Sequence, residues 1–118
     1  MSIEALASVS GIDTKQGLTN CMDDEDLYMS IIGMYVEQLA ENLPQLAQAH
    51  SKQDWIEIGK LAHSIKGASA SIGAFEIQAI SAVIEKAAKH DEISVITDNF
   101  ESFTSLLDTT STALKQTL

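Results

Sequence analysis

The amino-acid sequence predicts an all-α fold, an antiparallel up-down-up-down four-helix bundle with short N-terminal helices. Three observations carry this expectation. Apolar residues recur at steps of three and four along most of the 118 residues, the signature of amphipathic helices. β-branched residues never fall into the alternating runs that mark strands. The breaks between periodic segments are short, which makes consecutive helices antiparallel neighbours. A chain of this length suits one domain, residues 1–118, with a real core, and no repeat, low-complexity tract or linker interrupts it.

Taken in order, Ile3 to Val9 reads as a short helix ahead of Ser10-Gly11. Asp13-Thr14-Lys15-Gln16 has the spacing of a capping box and opens a brief helix toward Cys21. Asp23-Asp24-Glu25-Asp26 forms an acidic first turn, favoured by the positive end of the helix dipole. From there Leu27, Ile31, Met34, Tyr35, Leu39, Leu43 and Leu46 mark the longest helix, running to about His50, with Pro44 expected to bend or split it. Ser51-Lys52-Gln53 makes a connection in which Ser51 is the candidate cap. The next helix, from about Gln53 to Ile72, carries the stripe Ile58, Leu61, Ile65, Ala68 and Ile72, and Gly73 ends it. Ile77, Ile80, Ile84 and Ala87 define a helix from about Ala74 to Lys89. After a turn at His90-Asp91, with Asp91 as candidate cap, Ile93, Ile96, Phe100, Phe103, Leu107, Thr110 and Leu114 form the last seam.

Composition narrows the function classes. Seventeen acidic residues against seven lysines and no arginine give a net charge of −10, which repels nucleic acid and anionic membranes. Without a guanidinium fork, tight bidentate anion clamps are missing, so a phosphate handled here is expected to be held loosely and passed on. A single cysteine, Cys21, excludes an internal disulfide. No apolar run reaches the roughly 20 residues of a membrane span, and Met1-Ser2-Ile3-Glu4 has no signal-peptide character. The expectation is a soluble, cytoplasmic, stand-alone monomer.

His63 is the candidate for chemistry. At about 100° per residue it projects opposite the apolar stripe of its own helix, so a single imidazole is displayed to water. Gly59 and Gly67 lie one turn before and after it, and Ala70 two turns on. Each mid-helix glycine costs roughly 0.5–1 kcal/mol relative to alanine, and clearance around the ring is the simplest purpose for both. On the following helix Gln78, Ala82, Glu85 and Lys89 share one face, so an antiparallel neighbour brings Glu85 or Gln78 toward His63. The competing account of Glu85 is a solvated i,i+4 pair with Lys89.

The segment from His63 to Gly73 resembles the histidine phosphotransfer (HPt) domains of multistep two-component phosphorelays. Their pattern is His-x-x-Lys-Gly followed by four small or mixed residues, an aliphatic residue and Gly, met here at His63, Lys66, Gly67, Ile72 and Gly73. The resemblance implies a phosphocarrier rather than an enzyme: His63 takes a phosphoryl group from one receiver-domain aspartate and gives it to another. It implies response-regulator receiver domains and a hybrid sensor histidine kinase as partners, with no cofactor of its own and Mg²⁺ in the receiver domain. Glu85 aligns with the family position that reaches the imidazole from the next helix. A carboxylate on Nδ1 fixes the tautomer and leaves Nε2 free to attack. Lys66 is expected to place its ammonium beside the incoming phosphoryl oxygens. The receiver is expected to dock on exposed apolar residues such as Ile56 and Ala74.

The rival function is a helical interaction bundle that binds receivers or other partners without phosphotransfer, and the two glycines bracketing His63 weigh against it. No His-x-x-x-His or Glu-x-x-His pair suggests a metal. No glycine-rich loop or strand-to-helix elbow suggests a hydrolase or kinase. His50 and His90, near helix ends, are adequately explained by the helix dipole.

Overall fold

The computed structural model describes residues 3–118, and among them every regular element is a helix. These are α1 (Ile3–Ala7), α2 (Thr14–Asn20), α3 (Glu25–Ser51), α4 (Trp55–Ile72), α5 (Phe75–Lys89) and α6 (Ile93–Thr117). Met1 and Ser2, part of the segment read above for a leader, lie outside the described residues. Helix α3 packs on α4, α4 on α5, α5 on α6, and α6 returns to α3, closing a ring of four. The α4–α5 interface is the most extensive. Helix α2 lies across the C-terminal end of α4, where Asn20 Nδ2 donates to the carbonyls of Ala70 and Ser71 and the Asp13 N–H donates to Gly73 O.

One device makes the turns short. Gln53, Gly73 and Asp91 each stand at positive φ just past a helix end. The next residue then sends its N–H back five positions: Asp54 to Ala49 O, Ala74 to Ser69 O and Glu92 to Ala87 O. This is the Schellman closure, and the same three residues are the N-caps of α4, α5 and α6. Two expected caps are thereby corrected. Ser51 is the last residue of α3, and the N-terminus of α4 is capped by Asp54, whose side chain accepts from Glu57 N. Asp91 ends α5 in the left-handed conformation, and Glu92 opens α6 without a side-chain cap. The capping box on α2 is half formed: Asp13 accepts from Gln16 N, while the Gln16 side chain turns to Asn20.

The buried face of α3 also differs from the expected stripe. Tyr28, Ile32, Tyr35, Val36, Leu39 and Leu46 are buried, whereas Leu27 is exposed and Met34 is 65% exposed. The face is rotated toward the two tyrosines because each phenol finds a partner inside. Tyr28 OH donates to Ile72 O at 2.7 Å, and Tyr35 OH shares a hydrogen bond of 2.7 Å with Ser69 Oγ. Burial pushes both phenols up to about 12. Helix α3 continues through Pro44 without a break. Pro44 and Ala40, the residue whose carbonyl loses its partner, are both exposed, so water can serve that carbonyl. Around these tyrosines the core gathers Ile58, Leu61, Ile65, Ile72, Ile77, Ile84, Ile96, Phe103 and Leu107, with Ile80 and Phe100 only half-buried.

The turn geometry sets opposite outcomes for two substitutions. Gln53→Gly relieves a left-handed non-glycine residue and is expected to raise unfolding stability by up to about 1 kcal/mol. Gly73→Ala adds a Cβ at φ +86 directly against the Asp13 carbonyl and is expected to cost about 1–3 kcal/mol. Urea unfolding of both variants checks the signs.

Candidate functional site

The site is made by the α4–α5 seam. A Cβ on Gly59 would lie 2.7 Å from Ala88 Cβ, so the two helices approach closely at this glycine. Gly59 is buried, so its missing side chain admits α5 as well as lining the space beside His63. Gly67 is different. It is exposed, and a Cβ there meets nothing within 4 Å, so its face of α4 is open.

One turn along from the Gly59–Ala88 contact, Glu85 of α5 reaches α4. Its side chain is only 7% exposed, covered by its own partners, while the His63 side chain is 69% exposed. Glu85 Oε2 lies 2.5 Å from His63 Nδ1, and Oε1 accepts from Lys66 Nζ at 2.5 Å. Lys89 Nζ stands 3.4 Å from Oε2, so the i,i+4 pair and the imidazole contact coexist on one carboxylate. The Lys66 hydrogen bond, helped by His63 and Lys89 and opposed by burial, lowers the Glu85 carboxyl to about 2. Glu85 is therefore ionised at neutral pH and can only accept. It follows that Nδ1 carries the proton and that Nε2 of the neutral ring holds the lone pair.

The remaining candidates are distributed around this pair. Ala70 is half-buried two turns beyond His63. Gln78 is half-buried two turns before Glu85, roughly 10 Å along the axis, and it is Glu85, not Gln78, that meets the imidazole. Ile56 is 71% exposed, but Ala74, expected on a docking surface, is 1% exposed at the N-cap of α5. It is unavailable to a partner.

A cavity of ≈ 490 Å³ opens beside His63 on the α4–α5 seam, lined by Ile56, Gly59, Lys60 and His63 of α4 and by Glu85, Ala88 and Lys89 of α5. Sequence reasoning missed Lys60, although a long side chain three residues before a displayed histidine shares its face. It also missed the Gln38 side chain, which reaches from α3 to Ser64 Oγ at 3.1 Å. His50, read from the helix dipole, instead stacks on Phe100 at 4.1 Å between ring centroids and meets Trp55 edge-on.

A pH-dependent stability follows from the carboxylate. Its carboxyl is ordinarily near 4.5 and falls to about 2 in the folded chain, so its contribution is complete above about pH 4.5 and lost as pH falls through about 2. Glu85→Gln is expected to be less stable than the parent at neutral pH, with the gap closing across that acid window. Urea midpoints over a pH series test this; a gap that stays constant with pH removes Glu85 as its source.

Comparison with known families matches the Hpt domain over residues 30–117. Comparisons with curated proteins and with solved structures gave no match. The matched span contains α4, α5 and α6 whole, with the Glu85–His63 pair, and α3 from Ser30 onward. The chain belongs to the Hpt domain family.

Proposed function

We propose that this chain is a phosphocarrier of a multistep phosphorelay, in which His63 accepts a phosphoryl group from a receiver-domain aspartate and delivers it to another receiver domain. The observation that carries this is the division of labour on one ring: Glu85 holds Nδ1 at 2.5 Å, while the side chain remains 69% exposed. In the accepting step, the Nε2 lone pair attacks phosphorus, the N–P bond forms and the bond from phosphorus to the aspartyl oxygen breaks. The carboxylate leaves with the electron pair. No proton need move, because Nδ1–H is already present and the positive charge that develops on the ring faces an ionised Glu85. The reverse step restores the same neutral tautomer.

Lys66 has a different task from the one its place in the motif implies. Its ammonium is bound to Glu85 Oε1, so it positions the carboxylate that positions the ring. Receiver domains are the partners, a hybrid sensor kinase supplies the first of them, and Mg²⁺ belongs to the receiver's own acidic site. We place the carrier in the cytoplasm as a monomer; among the described residues no helix is long and apolar enough to cross a membrane.

The test is incubation with a phosphorylated receiver domain followed by assay for acid-labile, base-stable phosphate. His63→Gln is expected to abolish acceptance while leaving the chain folded, at a cost of about 1 kcal/mol for the lost imidazole hydrogen bond to the buried Glu85 carboxylate. Phosphate retained on that variant rules out His63 as the acceptor.

Gly67 supplies a second check. Gly67→Ala is expected to stabilise the helix by about 0.5–1 kcal/mol and to transfer nearly normally. Gly67→Gln is expected to slow transfer by obstructing the partner. Equal transfer rates for the two variants remove the clearance argument at this position.

A further inference from the structure

Granted the phosphocarrier role, we propose that the cavity beside His63 is the seat of the phosphoryl group, and that Lys60 and Lys89, not the motif residue Lys66, supply the ammonium groups facing it. Side chains on a helix lean toward its N-terminus and cover the preceding turn. For His63 that turn holds Gly59 and Lys60, both of which line the cavity. Glu85 occupies Nδ1, so a phosphoryl group on the remaining ring nitrogen, Nε2, enters the cavity that Lys60 of α4 and Lys89 of α5 both line.

The three nearby ammonium groups differ in their commitments. Lys66 is 34% exposed and lies 2.5 Å from Glu85 Oε1. Lys89 is 68% exposed and its approach to Oε2 is 3.4 Å, a contact that a phosphoryl dianion readily outcompetes. Lys60 is exposed and none of the hydrogen bonds or ion pairs of the site involves it. The only carboxylate lining the cavity is Glu85, whose charge is already met by Lys66. In a chain of net charge −10, this is a local surplus of positive charge beside the nucleophile. Attachment breaks the donor's P–O bond and forms N–P at Nε2, with no further reactant.

The experiment is a pH titration of phosphohistidine by ³¹P NMR. The protein is phosphorylated with phosphoramidate, which needs no partner, and the resonance absent from His63→Gln is assigned to phospho-His63. Second ionisations of phosphorylated side chains fall near pH 6, and neighbouring cations favour the dianion. The midpoint in the parent is expected to lie about half a unit or more below that of Lys60→Ala/Lys89→Ala. A control, Lys15→Ala/Lys115→Ala, removes the same net charge from residues that do not line the cavity and is expected to titrate with the parent. Coincident midpoints for the parent and Lys60→Ala/Lys89→Ala, or an equal shift in the control, overturn the proposed seat. Absence of any His63-dependent resonance overturns the phosphocarrier role itself, so the two failures are distinct.

Discussion

A single ionised carboxylate at the seam of two helices is the constraint on which the rest depends. Burying Glu85 is unfavourable unless its oxygens are matched, and His63, Lys66 and Lys89 match them from two helices. That matching requires α4 and α5 to be close and in one register. Closeness comes from Gly59 under Ala88, and register from the closed turn at Gly73. The imidazole is oriented as a result: its inner nitrogen is fixed by the fold, and its outer one is left to solution.

The interior polar groups follow the same logic at lower charge. The phenols of Tyr28 and Tyr35 sit deep in the bundle because Ile72 O and Ser69 Oγ receive or share their protons. Both tie α3 to the C-terminal half of α4. The helix that displays His63 is thus clamped by α3 on one face and by Glu85 on the other, which holds the ring steady on rigid elements. Stability and chemistry draw on the same contacts here, since the charge that orients the imidazole also joins the helices.

Much of this was legible in the residues, and the failures have physical reasons. The six helices, the ending at Gly73 and the outward direction of His63 follow from periodicity and from glycine's tolerance of positive φ. The part Gly59 plays in helix packing was missed because an absent side chain looks the same whether it admits a partner or a neighbouring helix. The caps beside Gln53 and Asp91 were misassigned because ordinary residues adopt the left-handed conformation there. Helix α3 carries apolar residues around much of its circumference, so its phase was settled by the tyrosine hydroxyls, whose acceptors are more than 30 residues away. For Glu85, lysine and imidazole looked like competing partners, yet one carboxylate accommodates both.

The closed turns act as rulers for helix phase. Because the residue that finishes one helix's hydrogen bonding is also the N-cap of the next, the connection between α4 and α5 has no slack to absorb a change in length. One extra residue there would turn α5 by about 100° about its axis, swinging Glu85 off the seam and bringing a different side chain to the imidazole. The identity of the group behind the nucleophile is therefore encoded by a residue count some ten positions away as much as by the glutamate itself.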